Sequence, residues 1–141
     1  MSNEKHLKLL LKSAGRVDGH KRWNRWRAAH PDVEIVDLSS ADLEEINLRE
    51  ADLHGANLEK ADLRRAILIE ADCRGANMRG VDLRGADLTQ AYLNKADLRG
   101  ANLRGVRLGE ARIEGAYLSR QDSFYLERGS KPWSPKHGQS T

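Results

Sequence analysis

Between residues 36 and 120 an apolar residue, Leu in fourteen of seventeen cases, returns at every fifth position, and a second apolar residue stands two places before it. Five matches neither the roughly 3.6-residue turn of a helix nor the two-residue alternation of a strand. The repeat centres are Leu38, Leu43, Leu48, Leu53, Leu58, Leu63, Leu68, Cys73, Met78, Leu83, Leu88, Leu93, Leu98, Leu103, Leu108, Ile113 and Leu118, seventeen pentads without a break. Two positions earlier sits Ala in thirteen of them, with Val36, Ile46, Val81 and Val106 in the rest. The residue in between is Asp in eight pentads and Asn in four.

Two apolar side chains separated by one polar residue point to the same side of an extended segment. An uninterrupted strand would turn the next pair to the opposite face, because five is odd. A corner in the last two positions of each pentad prevents this. Gly closes seven pentads (55, 75, 80, 85, 100, 105 and 115), where a type II turn takes φ > 0. Each pentad is therefore one short side plus a corner, and the chain winds about an apolar axis. Coils stack at the strand spacing of about 4.8 Å, hydrogen-bonded to one another.

The flanks follow other rules. In "EKHLKLLLKSA", residues 4–14, Leu7, Leu10, Leu11 and Ala14 recur at helical spacing, and Gly15 breaks the pattern. A second helix is predicted from Asp18, as N-cap, to His30 before Pro31. Trp23 and Trp26 share one face of it and are expected to cover the first coil near Val36 and Leu38. After Leu118 the register fails, with Ser123 where a centre belongs. Phe124, Tyr125 and Leu126 are expected over the last coil, followed by a mobile tail in which Trp133 is a short docking motif or a loosely packed residue. The chain thus divides into a helical cap over 1–35, the repeat over 36–120, and a C-terminal cap segment with tail over 121–141.

The A(D/N)LXX pattern resembles that of the pentapeptide repeat family. The resemblance implies an all-β solenoid, a right-handed quadrilateral β-helix with four pentads per coil. Seventeen pentads then make just over four coils beneath an N-terminal α-helical cap. "WNRWRAAHPD" is similar to the lead-in of bacterial members of the family. Those members include gyrase-protecting mimics of DNA, secreted effectors and many proteins without an assigned role, so the resemblance implies little about activity.

Charge narrows the choice. Lys and Arg outnumber Asp and Glu eight to four over residues 1–35, and are outnumbered thirteen to fifteen over 36–120. A strongly negative DNA mimic is a poor match, and nucleic acid is an unlikely partner. A membrane surface, reached through Lys5, Lys8 and Lys12 of a basic first helix, is the third reading and also a weaker one. The single cysteine excludes an internal disulfide framework, no run approaches the roughly 18 residues of a membrane span, and the N-terminal apolar run is too short for a secretory signal. A cytoplasmic setting is expected.

Residues twenty apart would form columns along the coils, and the candidate chemistry lies in these columns. Arg64, Arg84 and Arg104, with Arg79 and Arg99 on the adjoining side, make a weak candidate anion site, because Asp residues two positions away supply carboxylate partners. Glu50, Glu70, Gln90 and Glu110 form a partly acidic ridge. Ile67 replaces the usual Asp or Asn, Ile69 follows its centre, and Tyr92 lies on the adjoining side one coil later. This outward apolar spot is the candidate interface for a protein partner or a second copy; scattered surface apolar residues are the plainer reading. The histidines are dispersed, Cys73 is expected to be a buried inert thiol, and no catalytic, cofactor or metal residues are expected.

Overall fold

The computed structural model describes residues 3–14, 19–120 and 122. Thirteen parallel bridges join residue i to residue i + 20, from Asp37–Asn57 to Asp97–Tyr117. Twenty residues, or four pentads, therefore complete one coil. The bridges define four sides, which begin in the first coil at Asp37, Asp42, Asn47 and Asp52 and are numbered here in that order.

In an interior pentad that carries Asp or Asn, every backbone N–H has its own acceptor. The second residue bonds to the coil above (Asn57 N–H to Val36 C=O, 2.8 Å) and the centre to the coil below (Leu38 N–H to Asn57 C=O, 2.7 Å). The corner residue also reaches down (Ser40 N–H to Glu59 C=O, 2.8 Å), and the next pentad's first residue closes the turn (Ala41 N–H to Leu38 C=O, 3.2 Å). Only the fourth N–H lacks a backbone partner. The Asp or Asn two residues before it accepts this hydrogen, as in Ser39 N–H to Asp37 Oδ1 at 3.0 Å and Arg104 N–H to Asn102 Oδ1 at 3.2 Å. The polar residue of the repeat is thus a backbone fastener, an Asx turn at each corner.

Corner geometry is more uniform than glycine content indicates. All sixteen corner residues from Ser40 to Gly115 have φ between 57 and 76°, and nine of them are not glycine. A side chain in that region costs about 1–2 kcal/mol. The stacked hydrogen bonds above and below hold the backbone there regardless.

The centres from Leu38 to Leu103 and most of their Ala and Val neighbours are buried in one continuous axial core. Leu108, Ile113 and Leu118, expected among the buried centres, are instead half-buried, because no further coil of described residues lies beneath them.

Two helices close the other end: α1, Glu4–Ser13, and α2, Gly19–Ala29. Asn3 caps α1, its side chain accepting from the Lys5 N–H at 3.0 Å. The buried face of α1 is set by Leu10 and Ser13, with Leu7, Leu9 and Ala14 packed alongside. Leu11, placed on that face by its spacing, is 48% exposed instead; the helix is rotated so that Leu9 takes part in the contact. Trp23 is buried, whereas Trp26 is half-buried and stacked between Trp23 (5.3 Å) and His30 (4.8 Å).

These helices replace the missing coil above the first one. Asp37 C=O accepts from Asn3 N–H at 2.9 Å, and Asp37 N–H donates to His6 Nδ1 at 3.2 Å. Burial lowers the His6 pKa, which favours the neutral ring that can accept this bond. On the fourth side Trp23 Nε1 donates to Asp52 C=O (2.8 Å), Asn24 Oδ1 accepts from Asp52 N–H (2.7 Å), and Arg27 donates to His54 C=O (2.6 Å). Asp42 and Asn47, on the second and third sides, stay exposed. The cap covers half of the first coil's edge. Gly15, Asp18, Phe124, Tyr125, Leu126 and Trp133, to which the sequence assigns roles, lie outside the described residues.

Candidate functional site

The side walls carry two kinds of feature, arginine ladders and breaks in the Asp/Asn pattern. Where Asp precedes the centre and Arg follows it, the two clasp each other within one pentad. Arg64 holds Asp62 through Nε (2.9 Å) and Nη2 (2.8 Å), and Arg74–Asp72, Arg84–Asp82 and Arg99–Asp97 repeat the geometry. Where Asn precedes the centre, the arginine must look elsewhere. Arg49 reaches Glu70 at 3.5 Å, and Arg79 shares Asp97 with Arg99 at 3.1 Å. Arg104, behind Asn102, has no carboxylate within 4 Å among the described residues. The five arginines of the weak candidate anion site therefore lie along two adjoining corners, Arg79 and Arg99 on one and Arg64, Arg84 and Arg104 on the next, and four of them are already engaged.

Side-chain hydrogen bonds from Arg64, Arg84 and Arg99 hold Asp62, Asp82 and Asp97 below the usual carboxylate pKa. A carboxylate whose folded pKa lies below its unfolded value contributes stability that is complete above the unfolded value, near 4. That contribution disappears as pH falls through the folded values. The melting temperature, followed by circular dichroism in low salt, is therefore expected to stay level from neutrality to about pH 5 and to drop below about pH 4. A melting temperature that rises between pH 5 and pH 3 would contradict the clasps.

Among the described residues, two groups of side chains, Asp52–His54–Asp72 and Asp42–Glu44–Asp62, each hold their oxygen or nitrogen donors within 4.8 Å of one another. Guanidinium groups already sit on both, Arg27 and Arg74 on the first, Arg64 and Arg65 on the second. These sets are ion-pair networks and do not fit a metal. Cys73 lies wholly inside the core, where burial pushes its thiol pKa up to about 12. The thiolate that nucleophilic chemistry needs is suppressed there.

The candidate interface is on the third side and around its corner. Ile67 is 38% exposed and Tyr92 36% exposed, while Ile69, expected to point outward with Ile67, is half-buried. Arg112 lies over the Tyr92 ring at 5.2 Å. Other breaks were not singled out from the sequence although the same signal marks them: Arg107, Arg112 and Tyr117 also stand where Asp or Asn belongs. Tyr117 is 56% exposed beneath Arg99. The capping groups Asn3, His6, Asn24 and Arg27 were missed as well; their targets are about thirty residues away in sequence and leave no local mark.

Four-pentad coils fastened by Asx turns around an aliphatic axis define the quadrilateral β-helix. The chain belongs to the pentapeptide repeat family: the model for "Pentapeptide repeats" matches eight copies over residues 36–68, 46–85 and 82–120. Among solved structures, a pentapeptide repeat protein of the Arabidopsis thaliana thylakoid lumen is similar with a TM-score of 0.57 and 26% identity, over 71% of this chain and 81% of that one. One from the cyanobacterium Nostoc PCC 7120 has 39% identity over 67% of this chain and 73% of its own, with a TM-score of 0.42. One from the cyanobacterium Cyanothece 51142 has 36% identity and a TM-score of 0.46 over 61% of this chain. This chain spans 54% of the Cyanothece protein's length. No curated protein matches the chain.

Proposed function

We propose that this protein is a non-enzymatic scaffold that binds a protein partner in the cytoplasm through its third side, with Ile67 and Ile69 as the apolar contact and Tyr92 at its border. The observation that carries the reading is the break at Ile67. Each Asp or Asn at this repeat position fastens the N–H two residues on; Ile67 gives up that bond and leaves an aliphatic side chain 38% exposed. Strand preference of a β-branched residue explains part of the choice, but not an exposed isoleucine in place of a backbone fastener, with Ile69 half-buried beside it.

The other readings have less support. A mimic of DNA calls for a strongly negative wall, whereas the repeats balance thirteen Lys and Arg against fifteen Asp and Glu. A membrane-surface helix needs a free apolar face, and α1 turns Leu7, Leu9 and Leu10 onto the first coil.

Affinity capture with the full chain tests the proposal. Ile67→Asp with Ile69→Asp is expected to remove the specific partner. Stability should change by no more than about 1 kcal/mol, because a new Asx hydrogen bond worth about 1 kcal/mol offsets lost burial of similar size. A partner list unchanged in the double variant sinks the reading.

A further inference from the structure

Two copies of a four-coil wall laid face to face and antiparallel bring the first coil against the fourth and the second against the third. On the fourth side the outward columns read Asp52, Asp72, Tyr92, Arg112 and His54, Arg74, Asn94, Glu114. Antiparallel pairing sets Asp52 opposite Arg112 of a second copy, and His54 opposite Glu114. It also sets Asp72, whose carboxylate already accepts from Arg74, opposite the Tyr92 hydroxyl, a further donor. Arg74 meets Asn94, whose Nδ2 is already bonded to Glu114 at 2.7 Å, leaving its Oδ1 to accept. The two-fold axis repeats each of these pairs.

No other side has this property. The second side would oppose Asp62 to Asp82 and Arg64 to Arg84. On the third, Ile67 would face Asp87. On the first, which has five levels, Arg79 would face its own copy. The fourth side also borders the corner of Gly55, Gly75, Lys95 and Gly115, and a Cβ added to Gly55 or Gly75 would meet nothing within 4 Å, so the edge is low at every level but that of Lys95. One like-charged meeting occurs, Glu50 with Glu110, at the opposite corner where the walls turn away from each other. Glu50 there is held by His20 at 3.0 Å.

We propose that the chain associates with a second copy of itself, antiparallel, through the fourth side. Four coils at about 4.8 Å give a wall only about 20 Å tall, which buries less than the roughly 1,000 Å² of a stable interface. The dimer is therefore weak, reversible and sensitive to salt. This contact shares Tyr92 with the border of the surface proposed for the partner, but not Ile67, which lies on a different side.

Sedimentation velocity of the full chain at about 100 µM should show dimer in about 20 mM salt and monomer in about 0.5 M salt. Arg112→Asp should weaken association at least about tenfold, since it places like charge against Asp52 on both ends of the contact, and Glu114→Lys, which removes the acceptor facing the His54 ring, should weaken it as well. Arg104→Asp on the second side and Ile67→Asp on the third should leave it unchanged. Orientation is read by cysteine pairing: a chain carrying Arg74→Cys mixed with one carrying Asn94→Cys should form a disulfide-linked dimer, and neither alone should. The proposal is overturned if the parent chain stays monomeric in low salt, if Arg104→Asp weakens association as much as Arg112→Asp, or if either singly substituted chain, which also keeps the buried Cys73, crosslinks to itself as well as the mixture does.

Discussion

Leu83→Ala is expected to lower the stability of the folded chain by about 3–5 kcal/mol, near the upper end of the range for buried leucine truncations. Leu83 is completely buried in the third coil, with Leu63 in the coil above and Leu103 in the coil below. A solenoid coil contacts only its neighbours, so a gap at one level weakens the interfaces on both sides and nothing distant can compensate. The corner hydrogen bonds also fix the backbone against collapse into the cavity, since each coil is tied to the next at three points per pentad. Leu118→Ala is the internal comparison. Leu118 is half-buried at the last level, and its truncation should cost about 1 kcal/mol. Urea denaturation followed by circular dichroism decides the matter. Equal costs at the two positions would mean that the aliphatic axis is not what holds the rod together.

The contrast between those two leucines shows where sequence reading works and where it stops. The axial core was legible because an odd period with paired apolar positions has few structural solutions, and the centres from Leu38 to Leu103 are buried as that pattern demands. The end of the stack was not legible, since Leu108, Ile113 and Leu118 fit the repeat as well as any other centre. Corners were half legible. Glycine marks seven of them, but Glu45, Lys60, Arg65 and others adopt the same positive φ because neighbouring coils impose it. The Asp and Asn residues read as merely outward-facing, and their role as acceptors for the fourth N–H emerges only once the ladder's other bonds are counted. That accounting changes the meaning of Ile67. An outward isoleucine is unremarkable on a polar wall, whereas one that displaces a backbone fastener requires another reason to be there. Ile69 shows the opposite limit, because its burial depends on neighbours in adjacent coils that no local pattern specifies.

Trp23→Ala detaches the cap and is expected to cost about 3–5 kcal/mol. Trp23 is only 1% exposed, donates to the Asp52 carbonyl at 2.8 Å and stacks on Trp26 at 5.3 Å. Its removal leaves both a cavity over the first coil and an orphaned carbonyl at the coil's edge, and the two penalties add. Trp23→Phe separates them. It keeps most of the bulk and loses the hydrogen bond, so about 1–2 kcal/mol is expected. Native-state hydrogen exchange locates the damage. The Asp52 N–H, held by Asn24 Oδ1 at 2.7 Å, should lose protection in Trp23→Ala. The Leu83 N–H, bonded to Asn102 in the fourth coil at 2.9 Å, should keep most of its own. The order of loss follows from nearest-neighbour coupling: an uncapped first coil frays before the second, and the second before the third. Uniform loss of protection from Asp52 to Leu83 would show that cap and rod melt as one unit, and that α1 and α2 do more than stand in for a missing coil.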